Sequence, residues 1–289
     1  MRWSRPGSNG MDKILIKKAD GTTEFFKEEK LRNSLKRSGA TPKHIEEIVS
    51  HIMSEIDTDV TTDEIFKHAF DLLHKMGGSV AAKYSLRRAI SQLGPSGFPF
   101  EQFMSRVFNE LGYRSHSGVI VNGKCAEHEI DVVAENDNEV IFMELKFHNN
   151  FGLKSDMKVA LYVQARHDDL IKNNFGHYAD SGKKSEFWLV TNTKFTSNSI
   201  KYAKCAGLKM VGWSYPSNGN LQEIIESSGL QPITCLTSLT TDEKNYFLNK
   251  NIVLCKTLEQ KEHLLQEAGL DKNRANNALD EIRGLNELG

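Results

Sequence analysis

The sequence predicts a multidomain α/β protein: a β-hairpin with a helical bundle, then an α/β/α core with a mixed sheet, then a small helical module. Residues 11–93 change from a two-strand pattern to helical periodicity. Residues 94–100, GPSGFPF, hold two Gly and two Pro, which is typical of a domain boundary. Residues 98–216 alternate strands with helices, whereas residues 230–289 show helical periodicity alone.

The N-terminal domain begins with a predicted hairpin. Residues 13–17, KILIK, and residues 23–26, TEFF, are strand-like, and the Asp-Gly of ADGT between them is a strong turn signal. Four helices follow by apolar spacing. The Thr-Pro at 41–42 marks the start of the second helix, and Thr61 or Thr62 caps the third. The fourth is SVAAKYSLRRAISQL.

In the core, the amphipathic helix PFEQFMSRVFNELGY precedes strands at 117–122, 128–134 and 139–147. The turn ENDN joins the last two strands into a hairpin. A helix over 155–173 follows, and then a strand, a helix and a second strand. Because both of these strands are continuously apolar, the unit predicts parallel pairing.

Two adjoining predicted strands of this core carry charged residues, which are unusual in a buried strand. Alternation places Glu144 and Lys146 on one face, and Asp131 lies beside Glu144 if the turn sets that register. Two carboxylates that close repel each other unless a cation lies between them. A hard divalent ion with oxygen ligands, Mg²⁺ or Mn²⁺, fits such a pair. The pattern therefore predicts a phosphodiester-cleaving site, and the alternative is a solvated salt-bridge face of a hairpin.

The sequence of Asp131 followed by Glu144-Leu145-Lys146 resembles the core signature of the PD-(D/E)xK nuclease superfamily. The surroundings resemble its Mrr-like restriction endonuclease branch. The resemblance implies a restriction-endonuclease-like core and a Mg²⁺-dependent deoxyribonuclease that acts on double-stranded DNA, with a role in defence against foreign DNA. It also implies that Asp131 and Glu144 are metal ligands and that Lys146 assists the attacking water.

Two further residues enter through the same resemblance. Glu101, near the start of the first core helix, is implied to be a catalytic residue and third metal ligand. Gln164, on the helix after the E-x-K strand, is implied to support catalysis. The alternatives left open are a catalytically inactive, nucleotide-responsive DNA-binding or assembly protein, and a nuclease of the same fold that acts on RNA.

The charge balance gives no independent support for nucleic-acid binding, because 37 Lys and Arg face 38 Asp and Glu. A local track of basic residues is still expected to contact phosphates, and a solvated helix face is the alternative. Its members are Lys146, Lys154, Lys158, Arg166, His167, Lys172, Lys183 and Lys184.

Residues 13–93 resemble the ATP-cone, a regulatory nucleotide-binding domain known from ribonucleotide reductases and their transcriptional repressor. Ala19 precedes Asp-Gly where that family usually has Arg. With no Walker-type loop, ATP or dATP is expected as an effector rather than a fuel. The alternative is a plain interaction module. The residues that the resemblance assigns to the nucleotide are Lys17, Lys18, Lys30, Tyr84, Arg87 and Arg88.

The remaining expectations concern location and assembly. No apolar run is long enough to span a bilayer, and the four cysteines form no CxxC pair, which favours a reduced cytoplasmic location without structural zinc. Residues 1–10 are rich in Gly, Ser and Pro and are left out of the fold prediction. Nucleotide binding is expected to shift a conformational or homo-oligomeric equilibrium. Residues 230–289 faintly resemble helix-hairpin-helix modules.

Overall fold

The computed structural model describes residues 14–56, 60–175 and 182–288, so residues 1–10, which the fold prediction leaves out, and Lys13 of the predicted first strand lie outside the described residues. The N-terminal domain is a two-stranded antiparallel hairpin followed by helices, as predicted. Its elements are β1 (Leu15–Lys17), β2 (Thr23–Phe25), α1 (Glu28–Arg37), α2 (Pro42–Glu55), α3 (Thr62–Met76), α4 (Gly78–Tyr84) and α5 (Leu86–Ser91).

Side-chain caps explain where the helices of this domain begin. Thr41 accepts a hydrogen bond from the His44 N–H at the start of α2, and Thr61 and Glu64 form a reciprocal capping box at the start of α3. The fourth predicted helix is divided into α4 and α5 at Ser85. The Ser85 hydroxyl donates to the Ala82 carbonyl there, a local bond of the kind that competes with helical pairing.

A five-stranded mixed sheet forms the centre of the core, in the order β3-β4-β5-β7-β9. The first three strands are antiparallel, and β5, β7 and β9 are parallel, which matches the predicted pairing. The elements are α6 (Phe98–Glu110), β3 (Arg114–Asn122), β4 (Glu127–Glu135), β5 (Glu139–Lys146), β6 (Lys154–Ser155), α7 (Met157–Ile171), β7 (Lys184–Thr191), β8 (Lys194–Phe195), α8 (Ser197–Ala206), β9 (Lys209–Val211) and α9 (Leu221–Ser228).

Helices cover both faces of this sheet. Val132 and Met143 share an apolar core with α6, α9 and the C-terminal helices. Val133 and Phe142 face the other way and share a core with α7 and α8. Because side chains alternate along a strand, Glu144 belongs to the face that α7 covers.

Three short elements were not predicted. The strands β6 and β8 form a two-stranded parallel ladder beside the main sheet, too short to leave an alternation pattern. Helix α9 begins after the turn YPSNGN, where Asn220 caps it by accepting from the Glu223 N–H, and it ends at Gly229. The Asn cap and the glycine are sequence signals for the two ends of this helix, but eight residues are too few to show a helical periodicity.

The C-terminal helices pack on both preceding domains. The Thr234 hydroxyl donates to the Ala89 carbonyl of α5 over 2.6 Å, and the two groups are buried. No helix within the described ranges has both the length and the apolar character that crossing a membrane requires. The C-terminal elements are a 3-10 turn (Ile233–Cys235), α10 (Thr241–Asn249), α11 (Cys255–Gln260), α12 (His263–Glu267) and α13 (Lys272–Glu287).

Candidate functional site

The register of β4 and β5 brings Asp131 next to Glu144. Val132 pairs with Met143, so one further step along both strands places the two acidic residues side by side. The Leu145 N–H donates to Asp131 Oδ2 over 2.6 Å, which fixes the aspartate against the E-x-K segment. The predicted adjacency of these two carboxylates is therefore present in the structure.

Glu144 is a buried carboxylate, 7% exposed. Its Oε2 lies 2.5 Å from Arg166 Nη1 on α7, while its Oε1 is buried without a hydrogen-bond partner. Burial and the negative charge of Asp131 raise the pKa of Glu144 to about 8, although Arg166 acts in the opposite direction. A buried oxygen without a partner is costly, so this site favours either a proton or a cation at Glu144.

Glu101 belongs to the same electrostatic cluster. It lies in the first turn of α6, and burial, followed by the charges of Asp131 and Glu129, raises its pKa to about 7. Burial also raises the pKa of Asp131, against the hydrogen bond from Leu145. Asp131 thus lies near enough to oppose the ionisation of both Glu101 and Glu144, as neighbouring carboxylates do.

Lys146 ends β5 and is exposed. Its backbone carbonyl accepts a hydrogen bond from the Thr191 hydroxyl over 2.7 Å, and Asn192 clamps the next residues by bonding both the N–H and the carbonyl of His148. Thr191 and Asn192 are buried at the end of the neighbouring strand β7. Thr191 and Asn192 therefore hold the backbone that presents the lysine.

Gln164 does not join the cluster through its hydrogen bonds. Its Nε2 donates to Asp168 on the same helix over 2.7 Å, and Arg166, two residues further on, contacts Glu144 instead. Arg166 also donates to the Glu129 carbonyl. Sequence reasoning placed Arg166 in the basic track and missed this role. The packing of α7 against the sheet decides which of its residues reaches the strand, and sequence alone does not contain that packing.

A cavity of about 380 Å³ opens beside the cluster. Glu144 and Lys146 line one side of it, and Lys158 and Tyr162 of α7 line the other. Tyr162 is 62% exposed at its rim. The cavity therefore offers a carboxylate, two ammonium groups and an aromatic ring to a ligand that enters from solvent.

The carboxylates do not converge as a closed metal site. In the described part of the chain, one group of three ligand atoms from His, Cys, Asp or Glu lies within 4.8 Å, and it is formed by His51, Glu55 and His68 on α2 and α3. Glu101, Asp131 and Glu144 are further apart as a set of three, and Arg166 lies against Glu144. Two oxygen donors on adjoining strands nevertheless fit a hard divalent cation that keeps water ligands.

The basic track predicted for DNA does not form one surface. Lys184 is the register partner of Glu139 at the start of the parallel β5–β7 ladder, whereas Lys146 lies at the far end of that ladder. Lys183 forms an ion pair with Glu135, and Lys154 forms one with Asp20 of the N-terminal domain. The length of β5 and the docking of the N-terminal hairpin separate these lysines. Their proximity in the sequence does not reveal this separation.

In the N-terminal domain, Glu24 on β2 gathers two of the predicted nucleotide-binding lysines. Lys18 Nζ lies 2.6 Å and Lys30 Nζ lies 3.0 Å from the Glu24 carboxylate. Lys17 is exposed on β1, and its N–H donates to the Val60 carbonyl. Lys18 and Lys30 thus converge from the hairpin and from α1, as expected for residues that bind one polyphosphate.

The aromatic and arginine residues on the last helices have different surroundings. The Tyr84 ring stacks on Phe66 with centroids 5.0 Å apart, and burial raises its pKa. Arg88 lies over the same Phe66 ring and forms an ion pair with Asp63. Both residues therefore stabilise the packing of the N-terminal helices. Arg87 points away from these partners, toward the core.

Comparison with known proteins supports part of this interpretation. A family model described as ATP cone domain matches residues 14–93, which confirms the predicted ATP cone and indicates adenine-nucleotide binding. A second family model, described as AF1548-like, C-terminal, matches residues 232–286.

Two similar proteins extend the comparison. An uncharacterized protein of Archaeoglobus fulgidus is 36% identical over 181 residues, which cover 62% of this chain and 98% of the relative. A solved structure, the crystal structure of protein of unknown function AF1548, is 34% identical with a TM-score of 0.53, over 66% of this chain and 99% of that one. The chain therefore belongs to the AF1548-like family and carries an ATP cone domain at residues 14–93.

Proposed function

We propose that the chain is a metal-dependent DNA endonuclease whose activity responds to ATP or dATP bound by its ATP cone. The observation that carries the nuclease proposal is the pair Asp131 and Glu144. These two carboxylates lie on adjoining strands, Glu144 is buried with one oxygen unpartnered, and Lys146 follows two residues later. A soluble protein keeps such a costly group buried where it serves a site.

The residues present fit a divalent cation. Asp131 and Glu144 would hold Mg²⁺ or Mn²⁺, with Glu101 as a supporting acid on α6. Such an ion polarises a phosphate and lowers the pKa of bound water. The chain's own contribution is to orient these acids through the Leu145 N–H and to present Lys146, whose ammonium offsets charge on an attacking hydroxide or a leaving oxygen.

The test is a plasmid-cleavage assay. The intact protein, Asp131→Ala and Lys146→Ala are incubated with supercoiled DNA and Mg²⁺ or Mn²⁺. We expect nicked or linear DNA with the intact protein and at least about a 100-fold slower reaction with each variant. Lys201→Ala, which removes an exposed lysine of α8, is the matched control for Lys146→Ala. Cleavage by Asp131→Ala at the rate of the intact protein would assign the activity to a contaminant or to another site.

One observation favours a second candidate, a non-catalytic nucleotide-responsive DNA-binding or assembly protein. Arg166 already compensates Glu144 at 2.5 Å, so the cluster can persist without a cation. The same assay separates the two functions, because this candidate gives a gel shift with linear DNA but no cleavage with either metal. A single-stranded RNA substrate in parallel tests the nuclease of the same fold that acts on RNA.

The nucleotide part of the proposal is tested separately. Because a ligand that binds the native state raises its stability, ATP or dATP at millimolar concentration should raise the melting temperature of the full chain by a few degrees. Lys30→Ala should reduce that shift, since its ammonium reaches the same carboxylate as Lys18. No shift with either nucleotide would remove the proposed effector.

A further inference from the structure

The hairpin turn of the ATP cone packs directly on the loop that follows the E-x-K strand. A Cβ atom at Gly152 would lie 2.7 Å from the Ala19 carbonyl oxygen, so the two backbones are in close contact. The adjacent Asp20 carboxylate lies 3.0 Å from Lys154 Nζ. The turn and the loop therefore form a seam between the ATP cone and the core.

Arg87 of α5 also reaches this seam. Its guanidinium lies over the Phe151 ring at 4.9 Å and near the Trp213 ring at 5.8 Å, both in the core. Within the described ranges no carboxylate lies within 4.0 Å of it, and its Nε is buried without a hydrogen-bond partner. Burial lowers the pKa of Arg87 to about 10. A buried guanidinium without a neighbouring anion destabilises the folded protein, so a bound anion would stabilise it.

Lys194, on β8, is the register partner of Lys154 on β6, so it brings a core cation to the same seam. Burial lowers the pKa of Lys194, and the positive charges of Arg87, Lys18 and Lys154 lower it further. Asp20 is the carboxylate that opposes this effect. Arg87, Lys18 and Lys154 thus lie near enough to Lys194 to act on it, whereas Glu24 pairs with Lys18 and Asp20 pairs with Lys154. The seam has an excess of positive charge that a polyanion would balance.

We propose that the polyphosphate of the cone's nucleotide binds across this seam, with Lys18 and Arg87 on the cone side and Lys194 on the core side. The inference rests on the nucleotide binding proposed above and is independent of nuclease activity. Polyphosphate oxygens accept charge-assisted hydrogen bonds from guanidinium and ammonium groups. Ala19 contributes no charge at the turn, and Lys194 would provide a cation there from the other domain.

Such a shared site would connect the nucleotide to the catalytic strand through few residues. Lys194 follows Asn192 by two positions, and Asn192 clamps the backbone of His148, next to the end of β5. On the same core side of the seam, Phe151 and Gly152 belong to the loop that continues from His148. Bound nucleotide would therefore stiffen the segment that presents Lys146, which is a defined route for an effector.

The first test uses the full-length chain and isothermal titration calorimetry with ATP. Lys194→Gln should bind ATP about 10-fold more weakly than the intact protein, as expected for the loss of one charge-assisted contact. Lys194→Arg should retain most of the affinity. Lys201→Gln, which removes an exposed lysine of the neighbouring helix α8, should match the intact protein. Equal ATP affinity in Lys194→Gln and Lys201→Gln would overturn the shared site.

The second test needs no variant. Hydrogen exchange of the intact protein with and without ATP should show slower exchange at residues 149–153 and 192–195 of the core as well as in the hairpin. Protection confined to the cone would overturn the inference while leaving the nucleotide proposal in place. If the intact protein does not bind ATP or dATP at millimolar concentration, the seam inference and the proposed effector both fail, and the plasmid assay still decides the nuclease.

Discussion

Arg166 on α7 and Glu144 on β5 form a short ion pair, with Nη1 and Oε2 at 2.5 Å, on the sheet face that α7 covers. The guanidinium of Arg166 compensates the negative charge of Glu144, which is the charge that a cation bound to Glu144 would compensate. A divalent ion at the proposed site would therefore compete with Arg166 for this carboxylate, although Arg166 leaves Oε1 of Glu144 without a partner.

Replacing Arg166 by Ala should therefore strengthen metal binding. The variant loses the competing cation, and the carboxylate cluster keeps its donors, so we expect the affinity for Mn²⁺ to rise about 3- to 10-fold. Calorimetry with MnCl₂ measures the change. Asp131→Ala should lose most of the affinity in the same experiment.

The matched control is Arg283→Ala, which removes an exposed arginine that pairs with Asp280 on α13. It should leave Mn²⁺ binding unchanged. If Arg166→Ala weakens binding as strongly as Asp131→Ala does, then Arg166 supports the metal donors and the competition is refuted.

The raised pKa of Glu144 predicts a pH dependence of stability in metal-free solution. Its pKa of about 8 in the folded protein exceeds its ordinary value of 4.5, so the folded state binds the proton more tightly than the unfolded state. Stability from this group is complete below about pH 4.5 and is lost as the pH rises through 8. Between pH 6 and 8 the melting temperature should fall by about 3 °C or more.

Glu144→Gln isolates that contribution, because the amide cannot ionise and keeps the shape of the side chain. Its melting temperature should fall less between pH 6 and 8 than that of the intact protein. Glu101, whose pKa is about 7, contributes a smaller fall in the same direction that persists in the variant. Parallel curves for the intact protein and Glu144→Gln would show that the folded carboxyl already ionises below pH 6.

The fold was predictable where a local pattern determines it. The Thr caps at 41 and 61, the Asp-Gly turn and the alternation along β4 and β5 are each satisfied within a few residues, and the structure agrees with all of them. The placement of Asp131 beside Glu144 depended on one hairpin register, which a short turn fixes.

The parts that sequence could not provide depend on contacts between distant segments. Arg166 reaches Glu144 because of how α7 crosses the sheet, and Lys154 meets Asp20 because two domains dock. Neither pairing leaves a local pattern. The separation of Lys184 from Lys146 follows from the length of a straight strand, so these two residues of the predicted track lie at opposite ends of the β5–β7 ladder.

Replacement of Glu281 tests how much the hydrogen bonds of the C-terminal helices contribute to the free energy of unfolding. This buried side chain of α13 accepts hydrogen bonds from the Thr237 N–H and hydroxyl at 2.8 and 2.7 Å and from the Ser238 N–H at 3.0 Å. Glu281→Ala leaves these donors unsatisfied and should lower the free energy of unfolding by about 3 kcal/mol. Urea denaturation measures it.

The control for Glu281→Ala is Glu287→Ala, an exposed glutamate at the end of the same helix, which should change the free energy by less than about 0.5 kcal/mol. Similar values for the two variants would mean that water replaces Glu281 at the backbone donors without cost.

Gly152 tests the seam between the ATP cone and the core by steric means alone. In Gly152→Ala the new methyl group would meet the Ala19 carbonyl oxygen at 2.7 Å, and backbone atoms cannot rotate away, so the hairpin turn must shift. We expect a loss of about 1–3 kcal/mol in the free energy of unfolding. A displaced turn also separates Asp20 from Lys154, so Lys154→Gln should cost less in the Gly152→Ala background than alone.

Gly77→Ala is the matched control. Gly77 has extended backbone, with φ of 173°, and an added Cβ would find its nearest neighbour at 4.0 Å in Val80, an ordinary contact. The variant should retain the stability of the intact protein to within about 0.5 kcal/mol. Equal stability of Gly152→Ala and Gly77→Ala, with additive effects of Lys154→Gln in both, would mean that the turn and the loop move independently in solution, because a fixed seam has no room for the methyl group.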